Sequence, residues 1–229
     1  ITKYYCNNRN SLKPIHLFTS RNFYSEIVQN KKLLPTSIQY FETKLNLPED
    51  TNWKCIFLLP RKSTIESQMR NFQYKILNNI LYLNNKLFKM KIIDSPLYSF
   101  CREENETPLH LFSLCRITNH YWEQLQIWLE KFIALPVLTP ESALLGITVI
   151  INNDNLLTTL INHILLIFKK SLYEMRFRTT PPSVYYIQFR ICQIRKIEYA
   201  IAKDNNKLEF HFEKWKYISD QLNKLSTFS

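Results

Sequence analysis

Apolar residues recur every three to four positions along most of the chain, the spacing of one face of an α-helix. The clearest case starts at Thr64, with Ile65, Met69, Phe72, Ile76 and Ile80 on one side and Arg70, Lys75 and several amides on the other. Upstream, Ser20 reads as the N-cap of a helix through Phe23, Tyr24, Ile27 and Val28. Pro35 and Thr36 open a second, with Ile38, Phe41 and Leu45 aligned, and Thr51 a third, with Trp53, Ile56 and Phe57, ended by Pro60. Downstream, Asn84 to Lys91 reads as a short helix, and Arg116 to Phe132 as a longer one through Tyr121, Leu125, Trp128 and Leu129. Residues 155 to 178 place Leu156, Leu160, Ile164, Phe168 and Leu172 inward, and Pro181-Pro182 breaks that helix. Ser183 caps the next, which reaches Lys203. A last helix holds Leu208, Phe212, Trp215, Ile218 and Leu222. Residues 1 to 19 show no period and are expected to be irregular.

This pattern predicts an all-α fold, a multi-helix bundle with a small loop–helix Cys/His knuckle near the middle. Pro136 and Pro140 mark a linker. The expected organisation is a small helical subunit over residues 1–60, a knuckle-bearing region over 61–135 and a basic three-helix region over 136–229.

Composition sharpens this reading. Among 229 residues there is one glycine, Gly146. Glycine-rich phosphate loops are therefore excluded, and a fold built on many tight hairpins is disfavoured. The run from Ala143 to Phe168 is split by Asn152-Asn-Asp-Asn155 into pieces too short to span a bilayer. Five scattered cysteines read as reduced, intracellular usage. The chain starts at Ile1 rather than Met, as a piece of a longer protein would. A net charge of +11 favours an anionic partner, RNA or single-stranded DNA before an acidic membrane surface.

Candidate chemistry centres on Tyr98-Ser-Phe-Cys101-Arg-Glu-Glu-Asn-Glu-Thr107-Pro-Leu-His110-Leu-Phe-Ser-Leu-Cys115. Two sulfurs and an imidazole suit Zn²⁺, which takes four tetrahedral N/S ligands. Thr107 and Pro108 start a helix that sets His110 and Cys115 about a turn apart, with Cys101 returning from a polar loop. The three are expected to converge, with Tyr98 near the place of the missing fourth ligand. His120 is the one sequence-local substitute. The alternative is that His110 and Cys115 are ordinary core residues among Leu109, Leu111, Phe112 and Leu114. Glu103, Glu104 and Glu106 read as solvated loop carboxylates. The aspartates are isolated, and no nucleophile has a matched base, so no enzyme activity is expected. Basic residues form two sets. Lys169, Lys170, Arg176, Arg178, Arg190, Arg195 and Lys196 interleave with Tyr173, Phe177 and Tyr185; Arg61, Lys62, Arg70, Lys75, Lys86, Lys89 and Lys91 form the other. Cations neutralise phosphates and aromatic faces stack bases.

Phe72-Gln-Tyr-Lys-Ile76, Asn84, Leu87, Lys89-Met90, Phe100-Cys101, Glu106-Thr107, His110-Leu-Phe112, Cys115 and Tyr121-Trp122 together resemble the zinc-binding-type region downstream of the polymerase in LINE-type (non-LTR) retrotransposon reverse transcriptases. The family pattern is Cys-x-x-Cys, a short acidic loop, Glu-Thr-x-x-His-Leu-Phe, then Cys. Three of its four ligand positions match, and Tyr98 stands at the fourth. The resemblance continues through Ile197-Glu198 and Ala202 to Lys207, as far as Lys214-Trp215. It implies zinc as the metal, an accessory role in holding template RNA or target DNA, and the upstream reverse transcriptase domain as a partner. An inert helical scaffold on that polymerase, or a decayed transposon remnant, are the alternatives.

Overall fold

The computed structural model describes residues 5–8, 11–14, 19–30, 35–178 and 183–226. The chain divides into two compact units, Ile1–Thr36 and Ser37–Ser229. In the first, β1 (Tyr5–Asn8) and β2 (Ser11–Pro14) pair antiparallel, Asn8 opposite Ser11. A hairpin thus stands where an irregular segment is expected. Scarcity of glycine argues against many tight turns, not against one. The helix α1 (Ser20–Asn30) follows. Its cap is Thr19 rather than Ser20: Thr19 accepts from the Asn22 amide and takes the Asn22 side chain on its own N–H.

The second unit is helical, as the period predicts. It begins with α2 (Thr36–Leu45), whose Ile38, Phe41 and Leu45 are buried together. Asn52, not Thr51, caps α3 (Trp53–Ser63) by accepting from the Cys55 amide at 3.0 Å. Pro60 lies inside α3, which runs on to Ser63; the Ser63 hydroxyl and the Thr64 amide close its last carbonyls. The helix expected from Thr64 is α4 (Ser67–Leu77), and Ile65 and Ile80 lie outside it, half exposed. Next come α5 (Asn84–Lys89), a π-turn over His110–Leu114, and α6 (Arg116–Glu130). A short helix, α7 (Pro140–Leu145), occupies part of the expected linker, closed by a reciprocal Thr139–Ser142 capping box.

The centre is α8 (Asn155–Met175). Asp154 caps it, accepting from the Leu156 and Leu157 amides. It is buried around almost its whole girth, because α3, α4, α9 and α10 all pack on it. Ser183 caps α9 (Val184–Asp204) as expected, while the Pro181-Pro182 break lies outside the described residues. The expected last helix is divided: α10 (Leu208–Trp215), a single 3₁₀ turn, then α11 (Ser219–Ser226). One core joins Phe41, Phe72, Phe112, Leu125, Phe168 and Trp215, so the knuckle region and the C-terminal helices share an interior. Among the described residues, no helix is long and apolar enough to cross a membrane.

Candidate metal centre and basic surfaces

The loop carrying Cys101 is folded back by its own backbone. The Tyr98 amide donates to the Glu104 carbonyl, the Glu106 amide to the Pro96 carbonyl and the Arg102 amide to the Tyr98 carbonyl, each at 2.8 Å. Arg102, at φ +56°, reverses the chain immediately after Cys101. Thr107 then starts the helical turn, its hydroxyl accepting from the His110 amide at 3.1 Å. The following turn is not α-helical. The Cys115 amide reaches back five residues to the His110 carbonyl at 2.9 Å. In an α-helix, residues five apart point about 140° away from each other. The π-turn closes the i to i+5 circuit and swings Cys115 back beneath His110.

This brings Cys101, His110 and Cys115 together. One ligand atom from each lies within 4.8 Å of the other two, and Cys101 Sγ is 3.2 Å from His110 Nε2. Around tetrahedral zinc, sulfur and nitrogen ligands stand about 3.6 Å apart and two sulfurs about 3.8 Å. The three donors therefore fit zinc with small adjustments. On the far side of the imidazole, the Glu104 carboxylate is 3.2 Å from Nδ1. A carboxylate behind a ligating histidine fixes its tautomer and orientation, leaving Nε2 for the metal. Burial holds His110 below the ordinary histidine range, against the pull of Glu104 and Glu103, which keeps the ring in the neutral form that ligates. Burial also pushes the Cys115 thiol up, while the Thr118 and Ile117 amides at the start of α6 draw it down.

Tyr98 closes the fourth side as a wall rather than a donor. It is fully buried, with its ring 5.7 Å from the His110 ring and 5.2 Å from Phe100. Burial pushes its phenol well above the ordinary tyrosine range, and the neighbouring cysteines and Glu106 push the same way. It cannot supply a phenolate. His120 is exposed on α6, paired with Gln124, and takes no part in the cluster.

Glu106 departs from the solvated reading. It is fully buried and ion-paired to Arg176 at 3.2 Å, and its carboxylate also accepts from the Asn84 amide. Burial pushes its pKa up to about 7 against Arg176 and that amide. Arg176 in turn donates to the carbonyls of Tyr173 and Tyr82 and lies over the Tyr173 and Phe177 rings. It is thus an internal tie between the knuckle loop and the end of α8, not a phosphate ligand. Lys169 is likewise corrected: it is 2% exposed and donates to Gln73 Oε1 and the Leu144 carbonyl. A basic residue on a helix usually lies outside, but α8 has almost no outside, and Arg176 at its end turns inward to Glu106.

The other candidate phosphate ligands are accessible in differing degree. Lys89, Arg178 and Lys196 are exposed; Arg70, Lys75, Lys86, Lys170, Arg190 and Arg195 are half-buried. Lys170 and Arg190 share Glu174, each at 3.3 Å, and Arg195 donates to the Asn223 side chain. Arg70 donates to the Thr64 carbonyl and Lys86 to the Asn79 carbonyl. Phe177 and Tyr185 are open to solvent, whereas Tyr173 packs on Phe72.

Sequence reasoning missed the supporting roles of Glu104 and Glu106. Glu104 lies six residues before His110 and stays largely in water while reaching the ring, and nothing in the spacing marks Glu106 alone as the carboxylate that turns inward.

Comparison with known proteins bears on the same segment. Residues 18–122 match a family model described as zinc-binding in reverse transcriptase. No curated protein and no solved structure matches the chain. The match covers all three donors, and it supports a reverse transcriptase zinc-binding region over residues 18–122.

Proposed function

We propose that the chain is a non-catalytic accessory module of a LINE-type retrotransposon reverse transcriptase, holding template RNA or target DNA for the polymerase. One observation carries the reading: the Cys101–His110–Cys115 cluster, with Glu104 behind the histidine, lies inside the segment that matches the zinc-binding family. When bound, zinc would fasten the Cys101 loop to the π-turn, and Cys101, His110 and Cys115 would hold it. The net charge of +11 supports an anionic partner. Contacts would run through phosphates and shape rather than base edges.

Fluorescence anisotropy on a structured RNA and a single-stranded DNA, titrated with salt, tests this. Affinity is expected to fall steeply and linearly on logarithmic axes. Binding that is absent, or indifferent to salt, would overturn it. A scaffold reading is favoured by α1, where Tyr24 is 70% and Ile27 57% exposed, side chains suited to packing on further protein. The same titration separates the two, since a scaffold predicts no binding.

A further inference from the structure

A groove of about 650 Å³ runs between the C-terminal end of α3 and the α9–α10 hairpin. That volume lies within the roughly 300–1,000 Å³ of ordinary small-molecule clefts. Its floor is a closed polar network. Lys214 Nζ donates to the Ser63 carbonyl at 2.9 Å and to Glu198 at 2.8 Å, and lies 3.0 Å from His163 Nδ1. Glu198 also accepts from the Trp215 indole at 3.0 Å. The one carboxylate in the groove is therefore neutralised from below, and the lysine that neutralises it has its donors committed.

The rim is different. Arg61, Lys62 and Lys207 are exposed there, and none is in an ion pair among the described residues. Between them the walls are apolar and open: Ile65 is 47%, Ile201 41% and Phe210 54% exposed. Three uncommitted cations around an aromatic and aliphatic cleft match one class of ligand, a chain with anionic edges and flat apolar faces. Single-stranded nucleic acid has that form. A duplex hides its base faces, and an acidic peptide presents a ring to Phe210 only where it carries an aromatic residue, whereas every nucleotide of a single strand carries one.

We infer that this groove is the single-strand docking site of the chain, with backbone phosphates on Arg61, Lys62 and Lys207 and a base laid against Phe210. The inference rests on the nucleic-acid reading above and gives it a location that joins the matched segment, through Arg61 and Lys62, to α9 and α10, which lie beyond residue 122.

The test uses the full chain with a labelled 12-nucleotide oligo(dT) and a 12-base-pair duplex. The triple variant Arg61→Glu, Lys62→Glu, Lys207→Glu is compared with Lys44→Glu, Lys54→Glu, Lys131→Glu, which changes net charge equally at exposed sites outside the groove. The groove variant is expected to bind oligo(dT) at least tenfold more weakly than the control variant. Its salt slope should be shallower by about 2, from three lost phosphate contacts on a single strand. Phe210→Ala should weaken oligo(dT) binding about fivefold or more and leave the duplex unchanged, because stacking needs an exposed base face. Circular dichroism should show both variants folded. Groove variants that behave as the control overturn the inference while leaving the nucleic-acid reading intact, and so does polyglutamate that competes as well as oligo(dT) at equal charge. A wild-type chain that binds neither oligonucleotide overturns both.

Discussion

At the scale of single residues, two side-chain choices decide local outcomes. Gly146 follows α7 at φ +94° and ψ 172°, a conformation open essentially to glycine alone. A Cβ there would meet Asn162 Oδ1 at 2.8 Å and Leu59 Cδ1 at 3.0 Å. Asn162 cannot yield freely, because it accepts from the Ile147 amide and donates to the Ile147 carbonyl. Gly146→Ala is expected to destabilise by roughly 2–4 kcal/mol, from backbone strain and a disturbed buried amide. Urea denaturation would show a lower midpoint with an unchanged slope. Tyr98 makes the complementary case at the metal centre. Tyr98→Cys places a third sulfur beside Cys101 and Cys115, and zinc affinity should rise by more than the roughly 10- to 100-fold that outer-shell changes are worth. Tyr98→Phe should leave affinity unchanged, since the buried phenol is not a donor. Competition with a chelating dye measures both, and a sharp loss in Tyr98→Phe would show that the hydroxyl ligates.

At the scale of elements, α8 shows how packing overrides the usual rule for a charged side chain. Among the described residues Lys169 has no carboxylate partner; it donates instead to Gln73 and the Leu144 carbonyl. Burial pushes its pKa down to about 7. In the unfolded chain it returns to about 10.4. Between those values the unfolded chain holds a proton that the folded chain has released, so stability rises with pH. The gain is on the order of 1 kcal/mol per pH unit above 7, and it is lost as pH falls back through 7. Thermal melts between pH 7 and 9 should show this rise, and Lys169→Met should flatten it; an unaltered slope in that variant would remove Lys169 as its source. Glu106 acts below that window, because its pKa is raised toward 7 from the acid side. The π-turn is the other element that governs the site. An α-helical turn over the same residues would leave Cys115 facing away from His110.

At the scale of the whole molecule, periodicity was enough to place most of the helices, since a 3.6-residue apolar stripe must face a core wherever that core lies. It made α2, α6 and α9 legible nearly to their ends, and Ser183 legible as a cap. It failed at Pro60, which α3 carries three residues before its end at the cost of one i to i−4 hydrogen bond, and at α7, whose six residues are too few to show a period. Local order along the chain likewise determined the donor set, because Cys101, His110 and Cys115 are close in sequence and a loop and one turn suffice to gather them. Which basic residues face solvent was a different kind of question. Lys169 and Lys170 lie in α8 and Arg176 immediately follows it, yet Lys169 and Arg176 are interior while Lys170 is half-buried, its ammonium 5.2 Å from the centre of the Phe72 ring. Nothing in their spacing separates them; the packing of α3, α4, α9 and α10 around α8 does. The groove has the same origin. Arg61 and Lys62 stand more than 130 positions from Glu198 and Lys207, and only the crossing of α3 with the α9–α10 hairpin puts them on one rim. Chain-local geometry was therefore readable from sequence, and long-range juxtaposition was decided by the tertiary fold, because contact between distant segments depends on how every helix packs and not on the period of any one.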